Sequence, residues 1–443
     1  MAITGTHPAG LDRPAAPNAG ADEASVYRKV TWRIVPFLML CYIVAYLDRV
    51  NVGFAKLQML SDLKFSETVY GLGAGVFFFG YFLFEVPSNV ILHKVGARVW
   101  IARIMITWAL ISGAFMFVST PMQFYVMRFL LGLAEAGFFP GIILYLTYWF
   151  PAERRSRMVC TFMTAIPLAG LIGGPLSGWV MESFAGKNGM AGWQWMFLIE
   201  AIPAVVLGVV VLFYLDDGIR SAKWLTEPEK KLLEEKISHE TAGKVVHPSL
   251  RAVFADPRVW LMALIYFCCV TGQYGLTFWL PTLIKTAGIK GVLNIGMFTA
   301  IPYAAAVVTM LYLGRSSDKH MERRWHLVIP LLLGAVGLVG SALAGTTNTG
   351  LAIVALSIAA AGVLSSAPLF WALPTSFLSG VGAAAGIAAI NSVGNLAGFA
   401  SPFLIGWIKD LTQSTNIALY VLSAVLVGGA VIVLNIPAKM VNR

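Results

Sequence analysis

Residues 34–54 read IVPFLMLCYIVAYLDRVNVGF, and this run decides the fold. It is 21 residues long, and its only charges are Asp48 and Arg49. A bilayer crossing takes about 20 mostly apolar residues, and in lipid only a helix or a closed barrel satisfies its own backbone. The run is continuous rather than alternating, which excludes a barrel strand. Eleven further runs of the same kind follow, at residues 69–92, 100–118, 123–148, 158–184, 195–215, 258–283, 293–313, 327–345, 350–376, 383–408 and 417–437. The chain as a whole agrees: 58% of its 443 residues are hydrophobic and 12% charged, against about 25% charged in a soluble domain. The expectation is an all-α polytopic membrane protein of twelve transmembrane helices.

The polar segments between the runs give the organisation. Residues 1–30, rich in Ala, Gly and Pro with no apolar core, read as a disordered cytoplasmic tail rather than a signal peptide. Six spans fill residues 31–215, a linker covers 216–257, six more spans fill 258–437, and 438–443 form a short tail. Inside the linker Thr226 and Glu229 form a capping-box pattern ahead of a charged surface helix. Of the 32 Lys and Arg residues, 24 fall on the side of both termini, counting Arg103 and Arg258 at span ends, and six opposite, Lys56, Lys64, Lys187, Lys285, Lys290 and Lys409; Arg49 and Arg128 lie deep within spans. That bias places both termini in the cytoplasm. The net charge of +10 thus reports topology and gives no reason to invoke nucleic acid. The expected location is a plasma membrane, the inner membrane of a bacterium. Cys41, Cys160, Cys268 and Cys269 sit in or beside apolar runs, with no metal spacing and no disulfide framework.

The halves repeat one another. Asn89, His93, Lys94 and Arg98 in the loop after the second span echo Gly314, Asp318, Lys319 and Arg323 after the eighth, at an offset of 225 residues, with Gly96 in the first copy and Arg324 in the second beside them. Gly170, Gly174 and Pro175 echo Gly394, Gly398 and Pro402 at offsets of 224 to 227. Such a duplication gives two six-helix bundles with a binding site between them near the bilayer midplane.

Ionisable groups deep in a span cost several kcal/mol unless paired or hydrated, so they are candidates for function. Asp48 lies ~9 Å and Arg128 ~8 Å from the outer end of their spans, so the two are expected to meet; Glu135 lies ~10 Å deeper, two turns along the face of Arg128. The alternative is a fixed ion-pair network joining the first and fourth spans. Because consecutive helical positions point about 100° apart, Asp48 and Arg49 are expected to serve different partners. The second half offers uncharged groups: Gln273, at the repeat position of Asp48, Asn391 and Asn395 one turn apart, and Ser365, Ser366, Trp371 and Thr375. Tyr46 and Tyr81 are further donors. Each of these can instead bond a neighbouring helix. Glu85, Pro87 and Glu200 read as helix caps or kinks. Lys94, Arg98, Asp318, Arg323 and Arg324 sit at cytoplasmic helix ends, where ion pairs and helix dipoles can latch one state.

The loop GRSSDKHMERRWH at 314–326 resembles the signature loop of the major facilitator superfamily, and its first-half copy departs from it at Asn89, His93 and Ala97, which weakens the expected first-half gate. The strings YLDRVNVGFA (46–55), EVPSN (85–89), RFLLGLAEAGFFPG (128–141) and GWQWMF (192–197) resemble the anion:cation symporter family within it. The resemblance runs from about Arg28 to Pro437. It implies the major facilitator fold and proton-driven uptake of a small organic anion such as a sugar acid, a hydroxy-dicarboxylate or an aromatic carboxylate. By position it implies that Asp48 and Glu135 couple protons, that Arg49 holds the substrate carboxylate, and that Arg128 pairs with the acids or the anion. Tyr46, Tyr81, Gln273 and Asn391 fall at substrate-contacting positions, and Asn395, one turn from Asn391 on the same face, is counted with them from the residue reading. No cofactor or metal is expected, the proton being the coupling ion, and the partners are a small carboxylate and the bilayer, with the protein a monomer. No ATP-binding motif, catalytic triad or metal cluster is visible in the sequence, which argues against an enzyme. The alternatives are an exporter or exchanger on the same fold, and a non-transporting membrane sensor.

Overall fold

A computed structural model describes residues 22–242, 255–320, 322–345, 347–371, 373–374 and 380–437. Among them the secondary structure is helical, with no strand. The first half comprises α1 (Glu23–Val50), α2 (Val52–Leu63), α3 (Glu67–Val95), α4 (Ala97–Ala114), α5 (Pro121–Glu135), α6 (Phe138–Thr147), α7 (Ala152–Met163), α8 (Ala165–Ser183) and α9 (Gly192–Tyr214). Helix α10 (Glu227–Ala242) lies in the linker. The second half comprises α11 (Pro257–Thr286), α12 (Val292–His320), α13 (Arg324–Ala344), α14 (Thr349–Phe370), α15 (Gly380–Thr412) and α16 (Asn416–Leu434). Eleven helical segments among the described residues are long and apolar enough to cross a membrane, and α15 occupies the place of the remaining expected span. Three expected spans are each built from two helices: α1 with α2, α5 with α6, and α7 with α8.

The helix starts follow from local chemistry. Thr120 caps α5 in a full capping box with Gln123, and Pro121 takes the first turn, where its missing N–H costs nothing. Gly137, at φ +87°, breaks the span just beyond Glu135, a conformation that favours glycine. In the linker Glu229 accepts from the Thr226 N–H at 2.8 Å, as the sequence pattern anticipates, and its carboxylate also takes Lys29 of α1 at 2.9 Å. Glu23 is paired with both Arg154 of α7 and Lys236 of α10. These contacts dock α10 on the first half and mark the end of the molecule here termed the linker end.

Two boundaries differ from the sequence reading. Helix α1 begins at Glu23, inside the segment assigned to the tail, because Val26, Tyr27 and Val30 have apolar neighbours to pack against. The first span also continues past Asn51 into α2, so Lys56, assigned to an outer loop, is 4% exposed inside the protein. Cys41, Cys268 and Cys269 are free and buried; the side chain of Cys160, residues 1–21, 243–254 and 438–443 lie outside the described residues.

The halves meet along two main crossings, α8 on α12 and α3 on α15. The repeated glycines make both possible. A Cβ on Gly296 would sit 2.2 Å from the Gly174 carbonyl, one on Gly170 2.3 Å from Tyr303, and one on Gly398 2.6 Å from Phe78. Small residues let the backbones approach, the ordinary device for packing helices in lipid.

Candidate functional site

Where the halves face one another, α1 and α5 bring Arg49 and Glu135 together. Both Nε and Nη2 of Arg49 donate to Glu135 Oε1, the Nε bond at 3.0 Å. Nη1 donates to the Tyr274 hydroxyl on α11 of the other half, at 3.1 Å. Rings of Tyr46, Phe77 and Tyr81 stand 5.3–5.7 Å from the guanidinium, within cation–π range. Arg49 is 5% and Glu135 2% exposed. Removing either partner of such a buried pair leaves the other charge alone, at a cost of about 3–5 kcal/mol.

Around this pair further polar contacts cross between the halves. Gln273 Nε2 donates to the Tyr46 hydroxyl at 3.4 Å. Asn391 Nδ2 donates to Glu85 Oε1 at 2.8 Å, so Glu85, read from sequence as a cap or kink, joins α3 to α15. Asn395 is half-buried one turn further along α15. Trp371 packs its ring against Tyr266 and Phe370. Ser365 and Ser366 are buried, the Ser366 hydroxyl being turned back to the Val363 carbonyl. Thr375 lies outside the described residues.

The expected meeting of Asp48 with Arg128 does not occur. Arg128 donates instead to the backbone carbonyls of Gly73 and Ala74, each at 3.3 Å, with the Phe77 ring beneath it. A guanidinium has five donors in a fixed fork, and the close crossing of α3 and α5 presents carbonyls to them before any carboxylate. Asp48 points the other way, into the first half, where Trp108 Nε1 donates to it at 3.0 Å and Ser112 Oγ at 3.2 Å, both from α4. The divergence of Asp48 and Arg49 follows the helical geometry: Arg49 faces the seam and Asp48 the bundle interior. Glu200, also read as a cap or kink, is 2% exposed and sits beside Asp48, accepting from Ser177 Oγ at 2.7 Å and Asn51 Nδ2 at 3.1 Å.

At the end opposite the linker, the halves are locked. Asp410 at the end of α15 accepts from the Glu67 N–H at 3.2 Å, the Thr68 N–H at 2.7 Å and the Thr68 hydroxyl, so one half caps the first turn of α3 in the other. Glu67 is paired with Lys409 across the seam and with Lys56 at 2.7 Å on its own side. Lys56 Nζ also stands 3.2 Å from the centroid of the Trp279 ring on α11. Glu182 accepts from the Leu293 N–H at 3.1 Å. The sequence reading missed this lock. Its signal was there in Glu67, Lys409 and Asp410 at predicted span ends, but a loop charge tells nothing of which loop faces it.

At the linker end, three residues read as a latch, Arg98, Arg323 and Arg324, have partners in their own halves. Arg98 Nε is 3.8 Å from Asp217, which also accepts from the Arg98 N–H. Arg323 donates to Ser317 at 3.0 Å, and Arg324 to the Ile436 carbonyl at 3.2 Å. Lys94 is exposed, and the Asp318 side chain lies outside the described residues.

Two apolar bundles, closed on each other at one end around a buried, permanently charged guanidinium, define a membrane transporter. Residues 38–402 match the family model of the Major Facilitator Superfamily, and the chain belongs to that family. It is 48% identical to "Putative metabolite transport protein NicT" of Pseudomonas putida over 95% of this chain and 96% of that one. It is 54% identical to a "Putative tartrate transporter" of Agrobacterium vitis, over 93% and 94%. Among solved structures, a partially occluded inward open conformation of the xylose transporter XylE from E. coli superposes with a TM-score of 0.71, at 15% identity, over 91% of this chain and 97% of that one. That likeness carries the fold. The chain is therefore a multi-pass membrane transporter and not an enzyme.

Proposed function

We propose that the protein carries a small organic anion, of the sugar-acid, hydroxy-dicarboxylate or aromatic carboxylate class, inward with protons by alternating access. The observation that carries this reading is Arg49 at the seam, held by Glu135 and reaching Tyr274 of the other half. A guanidinium stays charged at any physiological pH and binds a carboxylate through two parallel bonds. A proton on Glu135 removes its anionic partner, and the substrate carboxylate takes that place. Loss of the proton on the far side restores the internal pair and expels the anion. Arg128, bonded to carbonyls, adds positive potential from behind the Phe77 ring. Tyr46, Tyr81, Gln273, Asn391 and Asn395 surround the seam and supply bonds to hydroxyls or a ring edge. The name of the Agrobacterium vitis relative makes tartrate the first substrate to try.

The excess of Lys and Arg on the linker side supports putting that end and both termini on the cytoplasmic side of the inner membrane. The locked end is then the outer gate, shut. The cytoplasmic set Lys94, Arg98, Asp318, Arg323 and Arg324 is assigned to the opposite gate, engaged when the outer gate opens. Purified protein in proteoliposomes should accumulate tartrate against its gradient when the outside is acidified, and lose that accumulation with a protonophore. Tartrate exchange indifferent to both would replace symport with exchange.

A further inference from the structure

A second acidic centre lies away from the Arg49–Glu135 pair. Asp48 on α1 and Glu200 on α9 are each 2% exposed, and the Asn51 amide nitrogen donates to both, at 3.5 and 3.1 Å. Their other bonds come from neutral groups: Trp108 and Ser112 on α4, and Ser177 on α8. Of the charged groups on the surrounding elements, Arg103 on α4 stands over the Trp100 ring, 3.8 Å from its centroid, and three others are paired elsewhere. Arg49 turns to Glu135, Lys56 on α2 to Glu67, and Glu182 on α8 to the Leu293 N–H. Two buried carboxylates without a cation between them cannot both carry charge cheaply.

The amide shows where a proton is wanted. Asn51 Oδ1 is buried, in a residue 1% exposed, and has no hydrogen-bond partner. An orphan acceptor beside two acids is satisfied once one of them carries an O–H. Asn51 also borders a cavity of about 10 Å³ at the seam of the halves, lined by Ser177 and the glycines Gly170, Gly173 and Gly174 on one side and Thr277, Thr299 and Tyr303 on the other. That is room for roughly one water. Parting α8 from α12 would widen it.

We propose that Asp48 and Glu200, bridged by Asn51, form a shared proton site filled from the outer side through this cavity, with Glu200 a proton-binding residue in its own right. The proton moves from water to a carboxylate oxygen and nothing else changes bonds. Asn51 stands at the junction of α1 and α2, and α2 carries Gly53 against the Phe278 backbone and Lys56 into the outer gate. Occupancy of the site is thereby felt where the gate closes. This rests on the proton-coupled reading above.

The test is infrared difference spectroscopy of the full chain in lipid, titrated from acid to alkaline pH without substrate. The wild type should show a buried carboxylic C=O band that vanishes on alkalinisation. Glu200→Gln should remove or displace it, and Asp48→Asn should change it too, because the pair titrates as a unit. Ser177→Ala keeps the acid but removes its hydroxyl donor, and should move the band to higher wavenumber; it decides the matter if Glu200→Gln fails to fold. A band unchanged in amplitude and position in both Glu200→Gln and Ser177→Ala overturns the site. Tartrate-driven proton flux into wild-type liposomes is measured in parallel with a trapped pH dye. No flux with a responsive band sinks the proton-coupled tartrate reading and leaves the site; flux with an unchanged band in both variants does the reverse.

Discussion

Asp410→Ala should open the lock at the end opposite the linker, the outer gate in the orientation proposed above. The Asp410 carboxylate accepts two backbone N–H groups and a hydroxyl from the first turn of α3, all across the seam. Those bonds exist only while that end is shut, so their loss acts on the closed state alone. Removing a side-chain cap costs about 0.5–2 kcal/mol, and an exposed charge is discounted for screening. Asp410 is half-buried, which puts the expected loss at about 1–2 kcal/mol, or roughly a 5–30-fold shift in the closed-to-open ratio. Asp410→Asn keeps one acceptor oxygen and should fall between. Spin labels at Ser61 and Lys290, exposed on opposite halves at that end, report the separation by pulsed dipolar spectroscopy in nanodiscs. A longer-distance population should grow in the order wild type, Asn, Ala. Superimposable distance distributions for the three, with equal melting temperatures, would refute the assignment of this cluster as a gate.

Other substitutions separate the remaining roles. Arg49→Lys keeps the charge but cannot serve Glu135 and Tyr274 through one planar fork, so tartrate affinity should weaken by roughly 1–3 kcal/mol; wild-type affinity in a well-folded variant would move the carboxylate to Arg128. Asp48→Asn should abolish pH-driven accumulation while leaving tartrate exchange, and full concentrative uptake by it would remove Asp48 from coupling. Gly296→Ala places a methyl 2.2 Å from the Gly174 carbonyl, an overpacking cost of about 1–3 kcal/mol that should lower the melting temperature and slow transport. Unaltered values for both would mean that the α8–α12 crossing is loose.

Much of the fold was legible because lipid imposes a one-dimensional rule: about 20 apolar residues per crossing, written continuously along the chain. The duplication was legible for a similar reason, since Gly170, Gly174, Gly394 and Gly398 mark close crossings that a repeat must build twice. Asp48, Arg49, Arg128 and Glu135 stood out because charge in an apolar run is rare. Their pairing did not, as depth along a span gives one coordinate and a contact needs three. Hence Arg128 was expected to meet Asp48, whereas the rotation of α5 against α3 gives it two carbonyls and leaves Glu135 to Arg49.

Glu200 and Glu85 show the same limit. Each is an acid within a predicted span, as conspicuous as Asp48, yet its partners Asn51, Ser177 and Asn391 lie 149, 23 and 306 residues away. Lys56 looked like a loop charge until α2 carried the first span past Asn51 and buried it against Trp279. The sequence by itself determined the solvent, the number of spans, the two halves and the short set of groups that could carry charge through them. Only the tertiary structure decided which of those groups face the seam, which face the bundle interior, and which end is closed. The reason is physical: hydropathy is a property of each segment, whereas a hydrogen bond is a property of two, placed by how the helices rotate and cross.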